Sequence, residues 1–117
     1  MEREQAVRLT QNLLRKMVER EGSDLFLTAG FPPAIKVDGT IHKATDTPLN
    51  ADQAAMMVRS IMNDKPIKEF DATKECNFAI APKGIGRFRV SAFIQQGMAG
   101  AVLRTITTEI PTLEELD

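Results

Sequence analysis

The chain has 117 residues, a formal net charge of −1 and 43% hydrophobic residues. Its length suits one domain with one packed core. The near-neutral charge provides no basic field for nucleic acid, and the 5% aromatic content, without Trp or Tyr, provides no stacking platform for bases.

The first predicted element is a helix over residues 2–21. Apolar side chains recur there at steps of three and four residues, with charged and amide side chains between them. This pattern is typical of an amphipathic helix that covers a sheet. Gly22 follows directly, and we expect it to take the left-handed conformation that ends many helices.

Three short strands are predicted after this helix. The first lies at 24–28, and the next two, at 34–37 and 40–43, flank the dipeptide Asp38-Gly39. An Asp-Gly pair between alternating residues is among the strongest sequence signals for a β-hairpin. The chain should therefore turn back on itself at these two residues.

A second helix is predicted near 51–63. Asn50 is a favourable N-cap, and Gln53 lies three residues further on, as in a capping box. Pro66 lacks the N–H group that a helix interior needs, so it should lie near the start of a short third helix.

The last third of the chain predicts a meander of three strands, at 75–80, 87–95 and 101–106. Glycines in the 83–86 turn permit positive φ angles between the first two strands. Together with the helices, these strands predict an α+β fold with one antiparallel sheet of five or six strands and helices packed against it.

Arginines inside two of these strands are the unusual feature of the sequence. Alternation puts Phe88 and Val90 in the core and Arg87 and Arg89 on the other, mixed face, which suits contact with another domain. For Arg104, alternation does not decide the side. A guanidinium group can hold two phosphate oxygens, but pairing with Glu or Asp across strands is the competing interpretation.

Other signatures of catalysis are absent from the sequence. The P-loop pattern G-x-x-x-x-G-K-[ST] does not occur, and a single histidine, His42, supports neither a Ser-His-Asp arrangement nor a metal site. Cys76, the only cysteine, is expected to be a buried, inert thiol. We therefore expect no catalytic residue, no metal site and no enzymatic activity in this chain alone.

A resemblance to a known family is carried by six segments, at residues 23–33, 37–39, 61–64, 86–93, 103–106 and 111–116. In order along almost the whole chain, they resemble the N-terminal part of the type IV pilus retraction ATPases, the PilT/PilU family. Phe26, where PilT tends to have His, and residues 75–80 look closer to PilU.

The resemblance implies a PAS-like N-terminal domain at 1–111. Residues 112–117, which match a capping box at Thr112, would begin the linker or helix to a RecA-like ATPase domain that carries the Walker motifs. In this family, arginines at the positions of Arg89 and Arg104 reach the nucleotide phosphates, and Arg87 is a lesser candidate. ATP and Mg would bind the full-length protein, and neither is expected on this chain alone.

The resemblance also implies the partners. These are the protein's own RecA-like domain, neighbouring subunits of a homo-hexamer, a paralogous retraction ATPase and the inner-membrane pilus platform, with no role for nucleic acid. The expected location is the cytoplasm, peripheral to the inner membrane. Two other interpretations stay open: a PAS-like sensor of a small ligand, and a homodimerisation module.

Overall fold

The computed structural model describes residues 2–106, except for the side chain of Asp64. Helices and strands both occur in this part of the chain, as the sequence predicts, and the predicted capping box at Thr112 lies outside it. The elements are α1 (Arg3–Glu19), β1 (Asp24–Thr28), β2 (Ala34–Val37), β3 (Thr40–Lys43), α2 (Ala51–Ser60), α3 (Asp64–Thr73), β4 (Glu75–Ile80), β5 (Phe88–Gln95) and β6 (Met98–Thr105).

The six strands form one antiparallel sheet in the order β3-β2-β1-β6-β5-β4. Two meanders, each of three consecutive strands, are joined where β1 pairs with β6. This junction brings Asp24 opposite Arg104, although the two are 80 residues apart in the sequence. The predicted α+β class and strand number are confirmed.

All three helices pack on the same face of the sheet. The strand residues on that face are buried with the apolar sides of the helices in one core, and Phe88 and Val90 are among them, as alternation predicts. On β6 the core residues are Ala99, Ala101 and Leu103, so Arg104, which alternates with them, lies on the opposite face. The structure thus decides the side that alternation left open.

The end of α1 differs from the prediction in one respect. Glu21, not Gly22, has the left-handed conformation, with φ of 57°. The N–H groups of Glu21 and Gly22 donate to the carbonyl oxygens of Val18 and Met17, which completes a Schellman motif. Gly22 is needed for space instead, because a Cβ atom there would lie 2.7 Å from Cγ2 of Ile35.

The second helix begins as predicted. The N–H of Gln53 donates to Oδ1 of Asn50 over 2.7 Å, and the N–H of Asn50 donates back to Oε1 of Gln53 over 2.9 Å. An ion pair of 2.6 Å between Arg59 and Asp71 then ties α2 to α3. Pro66 lies in the first turn of α3, where a missing N–H costs little.

Two-residue turns close the hairpins that fix strand register. Asp38 and Gly39 have φ of 51° and 79°, and Gln96 and Gly97 have φ of 52° and 78°. Positive φ at both central residues matches the twist of antiparallel strands. Because the second turn needs only two residues, β6 begins at Met98, three residues before the predicted start.

Candidate functional site

The sheet face opposite the helices carries the candidate site, and we call it the open face. Within residues 2–106, its side chains are exposed or half-buried, apart from Asp24 and Gly100. The strands alternate regularly, so every second residue contributes to it. Its members on the five strands β2, β1, β6, β5 and β4 include Lys36, Asp24, Phe26, Gly100, Val102, Arg104, Arg89, Ser91, Phe93 and Asn77.

A row of charges crosses four strands at one end of the open face. In register, Lys36 lies opposite Asp24, Asp24 opposite Arg104, and Arg104 opposite Arg89. We call these four residues the charge row. Three cations and one carboxylate leave the row with excess positive charge, which favours an anion.

Asp24 and Arg104 form the ion pair at the centre of the charge row. Nε of Arg104 donates to Oδ2 of Asp24 over 3.1 Å. The Asp24 side chain is only 9% exposed, whereas that of Arg104 is 69% exposed. The competing interpretation from the sequence, pairing across strands, therefore holds for one N–H of Arg104, while most of its guanidinium group faces solvent.

The Asp24 carboxylate is held in its charged form. Burial raises its pKa, but hydrogen bonds from Ser23 and Arg104 and the charges of Arg104 and Lys36 together outweigh burial, so the pKa lies below its ordinary value. A carboxylate with such a pKa is ionised at neutral pH. Asp24 is thus a fixed negative charge within the row.

Arg89 is exposed and faces another cation. The structure brings it directly opposite Arg104. Among the described residues, the ion pairs join Arg59 to Asp71 and Arg104 to Asp24, so Arg89 has no carboxylate partner there. Like charges directly opposite each other destabilise a sheet unless an anion lies between them.

Arg87 lies just outside this arrangement. The sequence predicts that it begins a strand, but β5 starts at Phe88. The carbonyl oxygen of Arg87 accepts a hydrogen bond of 3.0 Å from the N–H of Ile106, and its side chain is exposed. The structure therefore brings Arg89 and Arg104 together. Arg87 lies two residues before Arg89, just outside β5.

Sequence reasoning missed Asp24 and Lys36. The available signal was the one that singled out the arginines, a charged side chain inside a short strand. Their significance depends on β1 pairing with both β2 and β6, and this pairing has no local sequence signature.

The other end of the open face mixes apolar and polar side chains, since Phe93 lies opposite Glu75 and Met98 lies opposite Gln95. The ring of Phe93 covers Gly100, where a Cβ atom would lie 2.7 Å from Cε1 of the ring. Met98, and Phe31 in the β1–β2 loop, are exposed large apolar side chains. Exposed apolar side chains among polar ones on the open face suit the expected contact with another protein domain.

The two residues that the sequence set aside are poor candidates in the structure too. Cys76 is buried, as predicted, and burial, followed by the hydrogen bond and charge of Glu69, raises its pKa. His42 is exposed on the edge strand β3. In the described part of the chain, no three His, Cys, Asp or Glu side chains are grouped to hold a metal ion.

A cleft lies on the helix side, between α1, the end of α2 and the end of β4. Its volume is about 340 Å³. Its polar groups include Ser60, whose hydroxyl already donates to the carbonyl oxygen of Met57 over 2.7 Å. None of the described side chains that line it is charged. Across residues 2–106, no helix is long and apolar enough to cross a membrane.

Comparison with known proteins relates this sequence and fold to a family. No protein-family model matches the chain. The chain is 55% identical over 106 residues to the type IV pilus ATPase PilU of Pseudomonas aeruginosa, covering 91% of this chain and 28% of that protein. It is 43% identical over 104 residues to the type IV pilus retraction ATPase PilT of the same organism, covering 89% of this chain and 30% of that protein.

A solved structure agrees with these relatives. The crystal structure of the pilus retraction motor PilT with bound ADP superposes with a TM-score of 0.80 at 32% identity, over 90% of this chain and 31% of that one. The chain thus spans less than a third of the proteins it matches. By sequence and by fold, the chain fits the N-terminal domain of a PilT/PilU-family ATPase.

Proposed function

We propose that this chain is the front domain of a type IV pilus retraction ATPase of twitching motility, and that Arg89 and Arg104 contact the phosphates of its nucleotide. The observation that carries the proposal is the register of β5 and β6, which sets the two arginines opposite each other on the open face. Support also comes from the similar PilT, whose solved structure has bound ADP.

An anion resolves the electrostatic conflict between these arginines. Side chains directly opposite in an antiparallel pair have Cβ atoms roughly 5 Å apart. Guanidinium groups on such side chains can approach each other to a similar distance, at which two like charges repel by on the order of 1 kcal/mol in water, and more where solvent is excluded. A phosphate group between them reverses the sign of the interaction, and guanidinium groups hold phosphate oxygens with charge-assisted hydrogen bonds.

In this proposal, the ATP and its Mg²⁺ are bound by a RecA-like domain that follows the linker beginning at 112–117. The PAS-like front domain packs on that domain and on neighbouring subunits of a homo-hexamer. Loss of the transferred phosphate removes a contact to the arginines, so hydrolysis changes the position of the domain. Met98, which is exposed on the open face, supports such a protein contact.

The proposed setting is the cytoplasmic side of the inner membrane. There the ring would act on the pilus platform, together with a paralogous retraction ATPase. The support for a paralogous partner is that the chain is similar to both PilU and PilT of one organism.

Substitution of the arginines in the full-length protein tests the proposal. Arg89→Ala and Arg104→Ala should each lower the ATPase rate by about 10³-fold if the side chain contacts the transferring phosphate. Arg87→Ala, a nearby exposed arginine, is the matched control and should have a smaller effect. Each variant must keep its melting temperature and hexameric state. Folded, hexameric and fully active variants would show that the arginines are structural.

The helix-side cleft favours a second candidate, a small-ligand sensor. A volume of about 340 Å³ is within the range of small-molecule sites, which usually also contain a few polar groups that fix the ligand. A thermal-shift screen of the chain against a ligand panel tests this candidate. Sedimentation of the same sample tests the homodimerisation module, which requires a dimer without any ligand.

A further inference from the structure

We propose that Asp24 is a positioning residue for Arg104: its carboxylate holds the guanidinium group by Nε and thereby leaves the terminal nitrogens available to a phosphate. The inference rests on the proposed function, and it gives the partner carboxylate of the ion pair a role at the nucleotide site.

Asp24 is suited to act as a fixed point. Its strand lies inside the sheet, paired with β2 on one side and β6 on the other. The side chain is nearly buried, and one of its carboxylate oxygens accepts the hydrogen bond from Arg104. A carboxylate held in this way cannot follow a moving partner, so the arginine must adjust to it.

Arg104 has the opposite character. It is 69% exposed and has a long side chain, which loses considerable rotamer entropy when it binds a phosphate in one geometry. The 3.1 Å bond from Nε to Asp24 restricts that freedom before the phosphate arrives. Because the bond uses Nε, the donors on the two terminal nitrogens are not consumed by it.

The opposite role, in which Asp24 withholds Arg104 from the phosphate, is less consistent with this geometry. A withholding carboxylate would hold the terminal nitrogens in a two-pronged pair and bury them. The observed contact is a single bond through Nε to an arginine that stays exposed. The two roles predict changes of opposite sign when Asp24 is replaced.

ATPase kinetics of the full-length protein test the inference. Asp24→Ala should lower kcat by up to about 10²-fold, the scale of a misplaced reactive group, with little change in KM. Asp24→Asn should lose less, because its amide oxygen can still accept a hydrogen bond from Nε. In the Arg104→Ala background, Asp24→Ala should lower the rate no further, since the group that it positions is absent.

Asp71→Asn is the matched control. It removes the carboxylate of the other ion pair, to Arg59, which joins two helices away from the open face. It should leave kcat unchanged. Melting temperatures of all variants separate loss of folding from loss of positioning.

The kinetic outcomes distinguish failure of the proposed function of Arg104 from failure of the positioning role of Asp24. If Arg104→Ala is fully active, the proposed function of Arg104 fails, and the inference fails with it. If Arg104→Ala is impaired but Asp24→Ala is not, only the inference is overturned. A faster Asp24→Ala variant, or one whose loss adds to that of Arg104→Ala, also overturns it.

Nuclear magnetic resonance gives a readout without catalysis. In the ¹⁵N-labelled chain, the Nε–H proton of Arg104 should exchange with water more slowly than that of Arg89. The difference should disappear in Asp24→Ala and persist in part in Asp24→Asn. Equal exchange at Arg104 and Arg89 in the unsubstituted chain would contradict the positioning contact.

Discussion

Asp24 lies where cations from two neighbouring strands converge. Lys36 on β2 and Arg104 on β6 are its direct partners in register. Burial by itself would raise the pKa of this carboxylate, yet the net direction is downward, because the surrounding hydrogen bonds and cations outweigh burial. The charge of Asp24 is therefore coupled to the folded arrangement of three strands.

This coupling predicts a pH dependence of stability. Since the pKa of Asp24 is lower in the folded protein, its contribution is fully present above the unfolded pKa, about 3.9, and is lost as pH falls through the folded pKa. Urea unfolding between pH 7 and pH 2.5 should show that Asp24→Asn is less stable than the unsubstituted chain at neutral pH, with a difference that shrinks in acid. A difference that stays constant with pH would exclude this linkage.

At the level of single residues, sequence patterns identified side chains but not their partners. Arg89 and Arg104 stood out because guanidinium groups are uncommon inside strands. Asp24 and Lys36 have the same property, but a carboxylate and an ammonium at the start and middle of short strands are easily assigned to solvent. Only the neighbouring strands turn these four side chains into one charge row.

At the end of α1, the helix cap and the packing against β2 would each favour a glycine, at two consecutive positions. The left-handed position of its Schellman motif is occupied by Glu21, where glycine is usual. The glycine comes one residue later, at Gly22, because Ile35 packs against that position. Packing therefore requires glycine at position 22, and Glu21 occupies the left-handed position with backbone strain.

Glu21→Gly should therefore stabilise the protein. Removing Cβ relieves the left-handed strain, and the larger backbone entropy of glycine in the unfolded chain offsets part of the gain, so we expect less than about 1 kcal/mol. Arg20→Gly, one residue earlier at φ of −93°, has no such strain to relieve and should destabilise. Urea unfolding of both variants measures the effect, and equal signs would contradict the assignment.

The elements whose determinants are local were predictable. The Asp38-Gly39 turn and the Asn50-Gln53 capping box act over two to four residues, and both are found where the sequence places them. The side taken by Arg104 was not predictable, since Val102 and Leu103 are both apolar and give no alternation. Packing of α2 against β6 decides it by burying Ala101 and Leu103.

The molecule as a whole is a one-sided sheet, with its core between the helices and one face and its charge row on the other. Strand order was beyond sequence reasoning, because the β1–β6 pairing joins residues far apart in the chain. The separation of core from charge row also means that the phosphate contacts proposed here are made at the surface, beside a pocket that Asp24, Arg104 and Thr105 help to line.

The chain alone should not hydrolyse ATP and should not bind it tightly. The sequence lacks a P-loop, whose backbone amides and lysine supply most phosphate contacts in this class of enzyme. Two exposed arginines compete with water and salt and give weak binding. Calorimetry should show no micromolar affinity for ATP, and the full-length protein under the same conditions is the positive control. Micromolar binding to the chain would overturn the two-domain interpretation.

The junction of the two meanders has a consequence for biosynthesis. Residues of β1 leave the ribosome about 80 residues before their partners on β6, and at roughly 5–20 residues per second this separation lasts several seconds. Before β6 is synthesised, β1, β2 and β3 can pair with one another and β4 can pair with β5. One edge of β1 then has no partner within the chain. When β6 arrives, it covers that edge and brings Arg104 to Asp24 in the same step. A nascent chain stalled before β6 would therefore present an unpaired strand edge and an incomplete charge row together.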